Sequence, residues 1–445
     1  MSTQISRPPK LNISEVMARV LACNGSDLSI HLDSAESFLP GQRITGYVSR
    51  ISPWVSTETR VMINLHGRCS TEFFNRDSSC CSSLALFGQD GFQSELFDGA
   101  LHIQRSCPDK KSWPFEIDIP EHPDQSCLRF HPFGKASYLP LSSANLHALP
   151  PSFDLTNSTA GSSRDSAVVE YYLEATITTS DASKFAVARL PVRLRCESSP
   201  FPITDFDVKL HSRQYYTVTS PRLAPVGDTA RISKRQQIAK VLGVSGNPHL
   251  TFCLEISVAS VLQKDSPYPI PFEIRAIPQW ADTSKCIANV AQDIGITSFA
   301  LAIHSTSSSI AFANGMMGGG AVVRENHFKM KTILSEYSKS KRTKQRNDGV
   351  QCEAQFGANP SDKHASSFGS RLWLPVDDNS SALDLGRLLN LNLQQDQFKL
   401  HEAPTFVTYN VKRTYDLDWK MALEVGEKIL TVKGRHPVLI LEKTD

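Results

Sequence analysis

The chain has 445 residues, too many for one ordinary hydrophobic core, so two domains of roughly 200 residues each are the starting expectation. It is 40% hydrophobic, enough to bury such cores, and 47 basic side chains against 45 acidic ones leave a net charge of +2. That balance excludes a global field that would draw the chain to nucleic acid. No run reaches the ~20 apolar residues that a membrane helix needs.

The first residues, MSTQISRPPKLNIS, have no apolar stretch of the secretory kind. The segment Leu32 to Val48, LDSAESFLPGQRITGYV, reads as a β-hairpin. A strand leads to a turn at Pro40-Gly41, and a second strand places Ile44, Gly46 and Val48 on one face. Period-two alternation then dominates. Val61, Ile63 and Leu65 form one dry face, and Phe115, Ile117 and Ile119 another, ending at Pro120. Val169, Tyr171, Leu173, Ala175 and Ile177 alternate with Glu170, Tyr172, Glu174 and Thr176. Leu190, Val192 and Leu194 follow, with Pro191 expected on a sheet edge or at a bulge.

The segment SPFPITDF, Ser199 to Phe206, with its Pro200 and Pro202, stiffens the chain and marks the domain boundary. Alternation resumes through Phe252, Leu254, Ile256 and Val258, then Phe272, Ile274 and Ala276, then Phe299, Leu301 and Ile303. Near the end Tyr409, Val411, Tyr415, Leu417, Trp419, Met421 and Leu423 share a parity that Arg413 interrupts, and Val438 and Ile440 close the set. Many short strands with one wet and one dry face argue for antiparallel sandwiches. Helical period is confined to Ser233–Leu242 and Leu383–Leu391. Asn75–Ser83, Asn157–Asp165 and the polar stretch 335–370 read as loops, the last long enough to be disordered.

Ten irregularly spaced cysteines without a C-x-x-C give no zinc or redox motif, and reduced thiols in a cytosolic protein are expected. G-x-S-x-G, P-loop and H-E-x-x-H motifs are missing. Gly315 to Gly320, GMMGGG, lacks the Lys-Ser/Thr of a phosphate cradle and reads as a loop. The expectation is no enzyme, no catalytic residue, no cofactor and no metal. The strongest charge run is SKSKRTKQR, with Lys339, Lys341, Arg342, Lys344 and Arg346 and no acid. It suits a weak contact with anionic membrane, a nuclear localisation signal or a plain solvated loop.

Several of these segments, in this order, resemble the arrestin family, in particular the fungal arrestin-like or alpha-arrestin proteins. The Pro-Gly turn segment is similar to the opening of the arrestin N-terminal domain. WPFEIDIP (Trp113–Pro120), LPPSF (Leu149–Phe153), VVEYYLEATI (Val168–Ile177) and LPVRL (Leu190–Leu194) resemble its later strands. TFVTYNVKRTYDLDWKMALEVGEK, Thr405 to Lys428, resembles a late strand of the C-terminal domain, with an N-x-x-R-x-Y core at Asn410, Arg413 and Tyr415.

The resemblance implies an all-β chain of two immunoglobulin-like β-sandwich domains in tandem, over 11–198 and 206–445. It implies a cytoplasmic, non-enzymatic adaptor or scaffold that joins membrane transporters or receptors to endocytic sorting or ubiquitination machinery. Recruitment would be to the plasma membrane or endosomes. A retromer-like coat component of protein trafficking shares that fold. The Pro-Pro-x-Tyr ligase motif is absent, and Pro150-Pro151-Ser152-Phe153 lacks its tyrosine, so a ubiquitin ligase would be reached through an intermediary. No nucleic acid is expected as a partner.

Overall fold

The computed structural model describes residues 28–33, 37–75, 78–88, 92–104, 111–128, 136–158, 164–180, 185–196, 200–223, 247–290, 292–313, 322–338, 372–376, 382–393 and 403–443. Of these, 66% lie in strands and 7% in helices, and none of the sheets closes into a barrel. The chain divides into two compact units. The first comprises Met1–Ser198 with Ser307–Phe328 and His401–Arg413, and the second comprises Ser199–Thr306, Lys329–Leu400 and Thr414–Asp445. One cut therefore falls at the proline-containing boundary, and two short later segments return to the first unit.

The first unit begins with β1 (Leu28–Leu32), β2 (Ser37–Phe38), β3 (Arg43–Arg50), β4 (Trp54–Asn75) and β5 (Ser78–Ala85). It continues with β6 (Gln93–Ile103), β7 (Lys111–Asp118), a single turn α1 (Gln125–Leu128), β8 (Phe153–Ser158), β9 (Arg164–Thr179) and β10 (Phe185–Leu194). One sheet runs β1-β3-β7, and the other runs β2-β10-β9-β4-β5 with β6 on β4 and β8 on β9. The alternation explains how they stack. Ile44, Val48, Phe115 and Ile117 of the small sheet and Val61, Ile63, Leu65, Leu173, Ala175 and Ile177 of the large one share one core. That is a β-sandwich, with both dry faces turned inward.

The segment Leu32–Val48 departs from a hairpin. Its turn is as read: Gly41 has φ +79°, and the Leu39 carbonyl accepts from the Gln42 N–H. The residues before the turn, however, leave for the other sheet, where Ser37 and Phe38 pair in parallel with Arg193 and Leu194. The antiparallel partners of β3 are β7 and the earlier β1, the latter with Leu32 opposite Gly46 and Leu28 opposite Arg50. Phe38 is buried, and that burial decides its sheet.

The second unit holds β11 (Val208–Thr219), β12 (His249–Ala259), β13 (Val261–Gln263), β14 (Phe272–Pro278) and β15 (Gln292–Ala313). Further along the chain come β16 (Val322–Ser338), β17 (Leu372–Val376), β18 (Leu383–Asp384), α2 (Leu385–Leu388), β19 (Phe406–Val407), β20 (Val411–Val425) and β21 (Lys428–Leu441), not all of them confined to this unit. The sheet order is β11-β12-β14-β17-β15-β20-β21-β13, with β16 on β15, β18 on β14 and β19 on β20. Strands β15, β16 and β20 each give residues to both units, and β19 belongs to the first.

The core of the second unit is the one the parity marks: Phe252, Leu254, Ile256, Phe272, Phe299, Leu301, Leu417, Trp419, Met421 and Leu423. The helix expected over Leu383–Leu391 is the single turn α2, capped by the Asp384 carboxylate accepting from the Arg387 N–H. The helix expected over Ser233–Leu242 lies outside the described residues. No helix among the described residues is long and apolar enough to cross a membrane.

Candidate functional site

In β4, β9 and β10 the inward positions are mostly apolar and buried, which leaves the outward ones free to carry polar chemistry. On β4 these are Asn64, His66 and Arg68; on β9, Glu170, Tyr172 and Glu174; on β10, Arg189 and Pro191. The registers set them in rows. Tyr172 stands opposite His66 on one side and Pro191 on the other. Glu174 stands opposite Asn64 and Arg189, and Glu170 opposite Arg68. Cross-strand neighbours at such spacing are within contact.

The result is an aromatic platform held by charges. His66 stacks on Tyr172 with centroids 4.8 Å apart and planes 18° from parallel. The Arg189 and Arg68 guanidinium carbons lie 5.4 Å and 5.8 Å from the Tyr172 ring centre. Arg189 Nε donates to Glu174 at 2.5 Å, and Arg68 Nε donates to Glu170. His66 Nε2 lies 3.9 Å from Glu174. The groups are part-shielded, from 14% side-chain exposure at His66 to 40% at Arg189. Burial holds the His66 imidazole below its ordinary pKa, with Arg189 and Arg68 adding to that and Glu174 opposing. The Tyr172 phenol is pushed up, first by burial. Burial thus disfavours a charge on the stacked imidazole, and both guanidiniums are ion-paired, Arg68 to Glu170 and Arg189 to Glu174.

Beside this platform, β10 is paired along Phe185–Val192 on its β9 side, whereas β2 covers only Arg193 and Leu194 of its other side. Phe185 is 64% exposed at the start of that strand. Pro191 stands in the stretch without a second strand partner among the described residues, which is where a strand tolerates a missing N–H. An aromatic and arginine platform next to a strand edge that no second described strand pairs with is an arrangement suited in general to an extended peptide, through main-chain pairing and side-chain pockets.

The family-like core at Asn410, Arg413 and Tyr415 has a different role. Arg413 does not break the buried parity, because it is itself only 3% exposed. Its Nη1 donates to Ser307 Oγ at 2.9 Å, and its guanidinium lies 5.5 Å from the Phe153 ring centre. Asn410 is fully buried, with Nδ2 donating to the Cys69 carbonyl. Thr71 Oγ1 donates to the Ile310 carbonyl at 2.6 Å, and the Ile310 N–H donates to the Asn410 carbonyl at 2.9 Å. Burial pushes the Cys69 thiol up to about 12. This dry seam fastens 307–313 and 403–413 within the first unit. Tyr415 is core of the second unit.

Pro150 and Pro151 are buried, and Phe153 is 4% exposed at the head of β8. The Pro150 carbonyl accepts from the Tyr171 hydroxyl at 2.8 Å. The string is structural, and no groove can receive it without unfolding. The basic run Lys339, Lys341, Arg342, Lys344 and Arg346 and the glycine run 315–320 lie outside the described residues. Among the described residues Cys69, Cys80, Cys81, Cys253 and Cys286 are free thiols. Among the described residues no group of three or more His, Cys, Asp or Glu is placed to hold a metal ion.

Alternation in the sequence puts Glu170, Tyr172 and Glu174 on one wet face and Arg189 with Pro191 on another, but does not single out His66 or Arg68. Their signal is present in hindsight. The outward positions of three adjacent strands carry N-x-H-x-R, E-x-Y-x-E and R-x-P, where solvated faces more often carry Ser, Thr and Lys. Only the register shows that these three rows coincide. Compared with known protein families and with curated proteins, the chain finds no match.

Proposed function

We propose that this chain works by binding, as an arrestin-like adaptor of two immunoglobulin-like sandwiches that presents membrane-protein cargo to sorting or ubiquitination machinery. The observation that carries the reading is the Tyr172 platform, with Arg68 and Arg189 pre-fixed by Glu170 and Glu174, beside the open edge of β10. Pre-paired charges and a stacked aromatic lose little freedom on binding, which favours a rigid recognition surface. The occupant would be an extended segment of a transporter or receptor. The basic run 339–346 would add a weak anionic-membrane contact. The retromer-like coat remains the second reading on the strength of the shared architecture.

Proximity labelling by the full chain in cells, with and without the paired change Arg68→Ala and Arg189→Ala, tests this. The adaptor reading expects transporters or receptors among the partners and their loss from the double variant. A list of constitutive coat subunits would favour the second reading. A double variant that folds and keeps every partner refutes the platform.

A further inference from the structure

Strand β11 is an edge of the second unit's sheet, and it carries a bulge. Leu210 pairs with Ser257 and Ser212 with Ile256, so His211 is the extra residue between them. A bulge re-aims a side chain, and here it directs His211 inward. Its ring meets Trp419 edge-to-face with centroids 4.8 Å apart. Across from it stands His436 of β21, on the inward parity of Val432, Gly434, Val438 and Ile440. The two Nδ1 atoms are 3.2 Å apart, with ring planes crossed at 76°. Ser260 Oγ lies 3.1 Å from His436 Nε2.

Three readings compete. The chain Ser260, His436, His211 has the order of a nucleophile, a base and an orienting group. A hydrolase also needs oxyanion donors. The N–H groups of Ser260 and Val261 both donate to the Phe206 carbonyl, at 3.0 and 3.1 Å, so neither is available. The second reading is a lone N–H···N bond that closes the sheet edge. The third is a chelate. Two imidazole nitrogens at about 2.0–2.1 Å from a tetrahedral ion lie roughly 3.3 Å apart, close to the separation here. With His436 Nε2–H donating to Ser260, the His436 Nδ1 lone pair faces His211, as outer hydrogen bonds orient metal-bound imidazoles. The ring planes are crossed, so the two imidazoles approach each other through their Nδ1 atoms and not face to face.

We propose that His211 and His436 form a two-imidazole chelating site for a borderline divalent transition metal ion of the zinc, nickel or copper kind. Such ions favour imidazole, and water completes the remaining positions. The surroundings are mixed in sign. Asp207 and Asp416 act on His436 as anions and Lys209 as a cation, with Lys209 paired to Asp207 at 2.5 Å. Asp418 is engaged by His304 at 3.1 Å and by Arg435 at 3.8 Å. The ion would tie the bulged edge strand β11 to β21. This inference is independent of the adaptor reading.

The test is a titration of the full chain with Ni²⁺ in millimolar imidazole, after alkylation of the exposed Cys81 and Cys286 thiols. Free imidazole competes with single surface histidines but poorly with a chelate, whose second ligand binds intramolecularly. The expected result is one bound equivalent and a raised thermal midpoint. His211→Ala and His436→Gln should abolish that equivalent, and Ser260→Ala should weaken it about 10–100-fold. A second readout needs no variant: one equivalent of Cu²⁺ should show two coordinated ring nitrogens by electron paramagnetic resonance. No bound equivalent, equal binding by His436→Gln, or fewer than two nitrogens on copper leaves only the hydrogen-bonded pair and overturns the site.

Discussion

Gly46→Ala measures how closely β1 approaches β3. A Cβ on Gly46 would stand 2.1 Å from the His31 carbonyl oxygen and 3.0 Å from Cζ of Phe115. A carbon can approach a carbonyl oxygen to about 3.3 Å, so β1 must withdraw by roughly 1.2 Å. The neighbour is paired backbone, in a strand anchored by the buried Leu28 and Ile30. It cannot swing aside as a side-chain tip would. Overpacking costs about 1–3 kcal/mol, and a backbone neighbour places this change in the upper half. The entropy that glycine loses on folding returns about 0.5–1 kcal/mol. The net loss is about 1–2.5 kcal/mol, or a fall of roughly 2–10 °C in the midpoint of a cooperative unit of this size. Differential scanning calorimetry reads it directly. Gly295→Ala is the control, because its nearest neighbour there is Trp373 at 3.4 Å, an ordinary contact. If both variants melt within a degree of the parent, the close approach carries no energy and the argument fails.

Burial lowers the pKa of His66, His147, His211 and His436, so their stabilising effect is full above the unfolded imidazole pKa and fades as pH falls through the folded values. The thermal midpoint should hold near pH 7 and decline toward pH 5; a midpoint that rises over that window contradicts the neutral, shielded rings. Phe153→Ala should cost about 3–5 kcal/mol in denaturant unfolding without altering affinity for WW domains, since the ring is core; strong WW binding lost in that variant would reverse the reading. Replacement of Lys339, Lys341, Arg342, Lys344 and Arg346 by Gln should reduce sedimentation with anionic vesicles, most at low salt. Equal sedimentation would make the run a solvated insertion.

Alternation made much of the cores legible, because a strand with one wet face must repeat every second residue. Val61, Ile63, Leu65, Leu173, Ala175, Ile177, Leu417, Met421 and Leu423 are all buried where the parity puts them. Pairing was less legible. The turn at Pro40-Gly41 is local chemistry and stands out, yet Ser37 and Phe38 take a partner some 155 residues away, and no local signal encodes that choice. Arg413 is the sharper case. Its charge reads as a break in the dry face, but a long side chain can be buried when a hydroxyl and an aromatic face receive its guanidinium. The platform fails for the same reason as the pairing. His66, Tyr172 and Arg189 are separated in sequence and become neighbours only through the register of β4, β9 and β10.

The two polar clusters of the first unit differ in what they can offer a partner. In the seam, Arg413 and Asn410 are almost wholly buried, and their donors are committed to Ser307 and the Cys69 carbonyl. An incoming group would have to break those bonds and desolvate nothing in return, so the seam can fix register but cannot recognise a ligand without local opening. On the platform the charges are already paired, yet Arg189 and Arg68 keep 40% and 32% of their side-chain surface exposed. A partner laid across them covers guanidinium faces and the Tyr172 ring while leaving both ion pairs intact. The desolvation cost is therefore small, and the gain comes from stacking and from the edge of β10. The proposed occupant would be held through shape and backbone pairing more than through net charge, so its affinity should depend only weakly on salt. That separates it from the basic run, whose attraction to a membrane would fall as ionic strength rises.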